Sequence, residues 1–215
     1  SEMCIRDSIG RILIDPRNSN VVYVGAEGPL WSPGGERGLY KTVDGGKTWT
    51  VSLEISKDTG VTSAEFDSTN PNIIYAAAYH RRRSVAAFMA GGPESGIYKT
   101  EDAGKTWRKL AVGLPKGDLG KIGLAVSPVD PRVVYATIEG GRDERGFYRS
   151  ADKGESWEKR NSYISNGTGP HYYQEIFADP NVFDRVYQMD VFIMVTDDGG
   201  KTFRRVGESN KHVDN

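Results

Sequence analysis

The side chains with the types and spacing for chemistry lie in irregular stretches of the sequence, between regular ones. Arginines gather at Arg37, at Arg81, Arg82 and Arg83, and at Arg142 and Arg145. Guanidinium groups brought together suit a carboxylate or phosphate, which they grip through paired N–H donors. The plain alternative is solvated loop charge, paired with Glu36, Glu94, Asp143 and Glu144. Carboxylates in the same stretches include Glu27, Glu36, Glu94, Glu139, Asp143 and Glu144. Glycoside hydrolysis needs two carboxyl groups about 5–10 Å apart; Glu36, Glu94 and Glu139 are the candidates. His80, His171 and His212, with Asp214, carry metal-ligating groups. They come from separate stretches without ligand spacing, so surface or hydrogen-bonded histidines are expected, with no metal and no cofactor. Trp31, in a Gly/Pro-rich stretch, offers a stacking face for a sugar or a peptide side chain, with Phe88, Tyr172 and Tyr173 as further aromatics. The sequence has no P-loop, dinucleotide fingerprint or Ser-centred elbow.

Composition narrows the class. The chain has 215 residues, 28 Lys+Arg against 29 Asp+Glu, and a net charge of −1. That balance gives no field for nucleic acid or an anionic membrane. No apolar run reaches the length of a membrane span, so no insertion is expected from this segment. The single Cys4 excludes an internal disulfide framework.

The elements that position these residues repeat. Gly38-Leu39-Tyr40-Lys41-Thr42-Val43-Asp44-Gly45-Gly46-Lys47-Thr48-Trp49 returns with Asp102, Gly104 and Trp107, with Asp152, Gly154 and Trp157, and with Asp198, Gly200 and Phe203. The steps between these aspartates match a four-stranded propeller blade. Upstream of each copy lies an apolar run, a turn rich in Asp, Pro and Asn, and a β-branched and aromatic run such as Val21-Val22-Tyr23-Val24, which reads as a hairpin. Each repeat therefore predicts four strands, A to D. The fold expected is all-β: a propeller portion of nearly four blades, at 9–57, 58–117, 118–168 and 169–207. Residues 1–8 fit no part of the pattern and are expected to be a non-native leader. Residues 208–215 are expected to open a further blade, so the chain reads as part of a longer one.

In the repeated turn, the Asp carboxylate is expected to accept the turn's own N–H groups, and Gly46, Gly104, Gly154 and Gly200 to need positive φ. Trp49, Trp107, Trp157 and Phe203 are expected between neighbouring blades. All twelve are read as structural. The A–B and C–D turns share one face, and the irregular B–C and D–A connections share the other. The B–C connections are Ala26–Arg37, Tyr79–Ser95 and Glu139–Arg145, with a tight turn near Asp190 in the fourth repeat. Long loops on a rigid scaffold are where binding sits.

The turn Ser/Thr-x-Asp-x-Gly-x-Thr/Ser-Trp/Phe resembles the Asp-box, or bacterial neuraminidase repeat. With Leu30-Trp31, Tyr79-His80-Arg81-Arg82-Arg83, Gly91-Gly92-Pro93-Glu94-Ser95 and Gly113-Leu114-Pro115-Lys116-Gly117-Asp118, the chain from about residue 9 is similar to the propellers of bacterial sortilin-type proteins, often labelled glycosyl hydrolases. The resemblance implies an extracytoplasmic parent whose other blades continue the ring. Its relatives include xyloglucan-active hydrolases, sialidases and peptide-binding receptors. The Phe/Tyr-Arg-Ile-Pro signature of sialidases is absent, which disfavours that activity. The expected function is recognition of a glycan, a peptide or another protein on the loop-rich face through Trp31, Arg37, His80, Arg81, Arg82, Arg83, Arg142 and Arg145. Glycoside hydrolysis by the rim carboxylates and a structural scaffold are the alternatives.

Overall fold

A computed structural model of the chain describes residues 9–164 and 174–207. Within them, seventeen strands form four antiparallel sheets that follow one another along the chain. The first holds β1 (Ile9–Ile14), β2 (Val22–Ala26), β3 (Gly38–Thr42) and β4 (Thr50–Leu53). The second holds β5 (Thr59–Phe66), β6 (Ile74–Arg83), β8 (Gly96–Thr100) and β9 (Arg108–Lys109), with β7 (Phe88–Ala90) added against the end of β6. The third holds β10 (Ile122–Val126), β11 (Val134–Ile138), β12 (Gly146–Ser150) and β13 (Glu158–Asn161). The fourth holds β14 (Ile176–Ala178), β15 (Val186–Gln188), β16 (Met194–Thr196) and β17 (Arg204–Arg205).

Strand alternation explains how the sheets stack. Successive side chains of a strand point to opposite faces. In β11 and the residue before it, Val134, Ala136 and Ile138 enter the core shared with the second sheet, whereas Val133 and Tyr135 enter the core shared with the fourth. Around β6, Ile73, Tyr75 and Ala77 face the third sheet, and Ile74 and Ala76 face the first. A strand covered on both faces reads as an unbroken apolar run, as β10 and β11 do. β1 is covered on one face only: Leu13 is in the core, and Ile12 and Ile14 are exposed.

Two expectations are corrected here. Tyr79–Arg83 is strand, not loop: β6 runs on past the sheet and pairs Arg81, Arg82 and Arg83 with Ala90, Met89 and Phe88. The second B–C connection is thus a projecting hairpin closed by Ser84 and Ala87. The fourth B–C connection spans residues 189–193 and is longer than a tight turn. The repeated aromatics also differ in burial. Trp157 is 6 % exposed in the core between the second and third sheets, whereas Trp49 is 43 % exposed. Among the described residues no sheet covers the outer face of the first one.

Candidate functional site

The two ends of the sheets do different work. At the turn end, each repeated Asp is closed into its own turn. Asp44 Oδ1 accepts the N–H groups of Lys47 and Thr48, both at 2.9 Å, and the Thr42 hydroxyl at 2.7 Å; Oδ2 accepts the Thr48 hydroxyl at 2.6 Å. Asp102 and Asp198 repeat all four bonds, and Asp152 repeats those from Ser150 and Ser156. The bonds from Thr48 and Thr42 hold Asp44 down at about 2, and Thr106 and Thr100 lower Asp102 likewise. At Asp152 and Asp198 burial pushes upward, but the bonds from Ser156 and Thr202 outweigh it. A carboxylate so held stays ionised with no proton to give, and most of its acceptor capacity is taken up by its own turn.

The turn backbone is unusual at two positions. Gly46, Gly104, Gly154 and Gly200 lie at φ 82–91°. The residue before each is also left-handed, and in two repeats it is not glycine: Ala103 and Lys153 both sit at φ 59°. The N–H of that residue (Gly45, Ala103, Lys153 or Gly199) donates to the A–B turn of its own sheet, at the carbonyl of Asn20, Asn72, Arg132 or Asp184. A tyrosine from the preceding sheet then locks the turn. Tyr23 donates to the Ala103 carbonyl and Tyr75 to the Lys153 carbonyl, each at 2.9 Å.

The loop end carries the free chemistry. The candidate arginines do not converge there. Arg37 is 3 % exposed, and its guanidinium donates to the carbonyls of Glu27, Pro29, Ser32 and Gly34. It is the internal brace of its loop and is not available as a ligand contact. Arg81 pairs with Glu27 at 2.7 Å. Arg82 lies 4.0 Å from Asp58 on the opposite face of the hairpin from Arg81 and Arg83. Arg83 lies over two rings, 5.3 Å from the centre of Trp31 and 5.9 Å from that of Phe88. Arg142 and Arg145 are exposed in the third sheet's loop.

Trp31 is 61 % exposed. Its loop is fastened to the hairpin by the Arg83 N–H, which donates to the Leu30 carbonyl at 2.8 Å, and to the preceding connection by Gly34 N–H on Lys57 O at 2.7 Å.

The rim carboxylates are largely engaged. Glu94 Oε2 accepts the hydroxyls of Ser56 and Thr59 and lies 3.2 Å from His80 Nδ1. The bonds from Ser56, then Thr59, then His80 hold Glu94 below the usual carboxylate range. That makes it a fixed acceptor and a poor general acid. Glu139 Oε2 accepts the Lys121 N–H at 3.0 Å, and Glu36 is exposed. His80 Nε2 lies 3.0 Å from Met89 Sδ. Among the described residues no group of three or more His, Cys, Asp or Glu is placed to hold a metal. His171, Tyr172, Tyr173, His212 and Asp214 lie outside the described residues.

A third charged region escaped the sequence reading. The first strands of the four sheets, β1, β5, β10 and β14, border one crevice. Two ion pairs line it, each between consecutive sheets: Arg11 with Glu65, and Lys121 with Glu175 at 2.9 Å. Burial pushes the Glu65 carboxyl up to about 7, against the pull of Arg11. Burial also acts on Glu175, but Lys121 keeps it below its usual value. The crevice holds about 30 Å³, room for a water or two and not for a sugar ring.

Four consecutive antiparallel sheets, stacked face to face with their first strands around a common crevice, define a β-propeller. The model of the family described as sortilin, neurotensin receptor 3, matches residues 51–168, more than half of the chain, and the chain belongs to this sortilin–Vps10 family. No curated protein matches. Among solved structures, the chain is similar to the GH74 xyloglucanase of Xanthomonas campestris, with TM-score 0.67 and 20 % identity over 90 % of this chain and 28 % of that one. It is also similar to the GH74 enzyme of Niastella koreensis, with TM-score 0.63 and 20 % identity over 87 % and 29 %. An ancestral GH74 enzyme gives TM-score 0.66 and 18 % identity over 98 % and 27 %. At that identity the likeness is one of fold. The chain spans less than a third of the length of these structures. No helix among the described residues is long and apolar enough to cross a membrane.

Proposed function

We propose that this chain is a ligand-recognition portion of an extracytoplasmic propeller, and that its loop-rich face binds a glycan. The observation that carries the reading is Trp31. A large aromatic ring more than half exposed, on a loop braced internally by Arg37 and fastened to the neighbouring hairpin, is a rigid stacking platform. Binding there orders little that is not ordered already. The turn end supports no such reading, because its carboxylates are closed into their own turns.

Hydrolysis receives less support. Glu94 is held ionised by Ser56, Thr59 and His80, and the carboxyl near neutrality, Glu65, sits in a crevice too small for a sugar. The test is retention on, and release from, insoluble polysaccharides. The wild-type chain is expected to be retained and to release no reducing ends, with retention lost in Trp31→Ala. Release of reducing ends that Glu94→Gln or Glu139→Gln abolishes would replace recognition by catalysis.

A further inference from the structure

We infer that Trp31, Arg83 and Phe88 form a recognition site for an anionic sugar, with the pyranose ring on Trp31 and the sugar carboxylate on Arg83. This rests on the glycan reading above and narrows it to a ligand class. The register of the hairpin sets Arg83 opposite Phe88, so the two share one face, and the Arg83 backbone bond to Leu30 brings the Trp31 loop against that face. The cation therefore lies over two rings from two separate connections, at 5.3 and 5.9 Å.

Rings hold a cation without neutralising it. The neighbouring arginines are provided for otherwise. Arg37 is embedded among carbonyls, Arg81 is paired with Glu27, and Arg82 approaches Asp58. Among the described residues Arg83 pairs with no carboxylate. A guanidinium kept in place by aromatic faces retains its N–H groups for an outside acceptor. A carboxylate supplies that acceptor through charge-assisted hydrogen bonds; a neutral sugar leaves it to water. The indole face that the cation leaves open, on a ring 61 % exposed, matches the C–H face of a pyranose that carries its acid group at the ring edge.

The test is calorimetric titration of the 215-residue chain with an oligogalacturonate and with the same oligomer methyl-esterified. The acid is expected to bind about tenfold or more tighter than the ester, since hydrogen bonds to charged groups contribute at least that much. The preference should shrink in high salt. Arg83→Gln should abolish the preference, bringing the ratio of acid to ester affinity to about one. Arg83→Lys, which retains the charge, should keep part of the preference and so separates loss of recognition from loss of folding. Lys105→Ala, at the turn end, should change neither. Equal affinity for acid and ester, or a preference that survives Arg83→Gln, overturns the inference and leaves the glycan reading standing. Failure to bind either oligomer, together with failure to bind neutral xyloglucan, overturns both.

Discussion

Ala103 and Lys153 occupy the same position in consecutive sheets with the same φ of 59°, yet replacing each by glycine should act in opposite directions. The left-handed backbone costs a residue with a Cβ about 1–2 kcal/mol. Glycine removes that cost but loses about 0.5–1 kcal/mol more backbone entropy on folding. Ala103→Gly should therefore stabilise the protein by about 0.5 kcal/mol. Lys153→Gly gains the same and loses more. Lys153 Nζ donates to Asp67 Oδ2 at 2.8 Å, and the Asp67 side chain is fully buried. Removing one partner of a buried pair costs about 3–5 kcal/mol. The low end applies, because Asp67 Oδ1 keeps the Thr69 N–H and hydroxyl and the Asn70 N–H, and because the Lys153 end is partly solvated. The net expectation is a loss of about 2 kcal/mol. Urea denaturation followed by tryptophan fluorescence measures both variants. A pH series adds a second arm. Burial raises the Asp67 carboxyl, but Lys153, Thr69 and Asn70 bring it below its ordinary value. A depressed folded pKa means stabilisation that is present above the unfolded value and lost as pH falls through the folded one. The gap between wild type and Lys153→Gly should therefore narrow from pH 7 towards pH 3. Two substitutions of the same sign, or a gap that does not change with pH, would refute the reasoning.

Three further outcomes are expected. Glu65 has its folded pKa raised to about 7, so its contribution to stability is complete below about pH 4.5 and is lost as pH rises through 7. Glu65→Gln should therefore gain up to about 3 kcal/mol on wild type between pH 5 and pH 8, read by thermal melts across that range. Tyr75→Phe removes the hydroxyl bonded to the Lys153 carbonyl and should cost about 1–2 kcal/mol in the same urea assay. Arg37→Ala strips a donor from four loop carbonyls; it should free the Trp31 loop to amide exchange while the β10–β12 amides keep their protection.

The all-β fold was legible because its signals are local. Hairpin turns, alternating strands and the fourfold Asp-Gly-Trp/Phe spacing each lie within a dozen residues, and the four sheets follow them in chain order. The face bearing the irregular loops could be deduced for the same reason. What was not legible depends on how the folded backbone brings groups together, which no residue pattern announces. The Arg81–Arg83 run looks like solvated loop charge, and its strand character comes from Phe88–Ala90 folding back on it. Arg37 looks like a rim charge because nothing nearby in sequence shows that its loop carbonyls curl around it. The crevice pairs join residues 54 apart, Arg11 to Glu65 and Lys121 to Glu175. Their signal was a single charged residue in, or immediately before, each first strand. Ala103 and Lys153 hid a left-handed backbone because glycine marks that position only in the first and fourth copies.

The bonds from Tyr23 to Ala103 and from Tyr75 to Lys153 both run from an earlier sheet to a later one. Each donor is made before its acceptor. A sheet leaving the ribosome carries an apolar face and a tyrosine hydroxyl that only the following repeat completes. In these two pairs the order of synthesis is therefore the order in which the bond can form, the new turn capping the sheet before it.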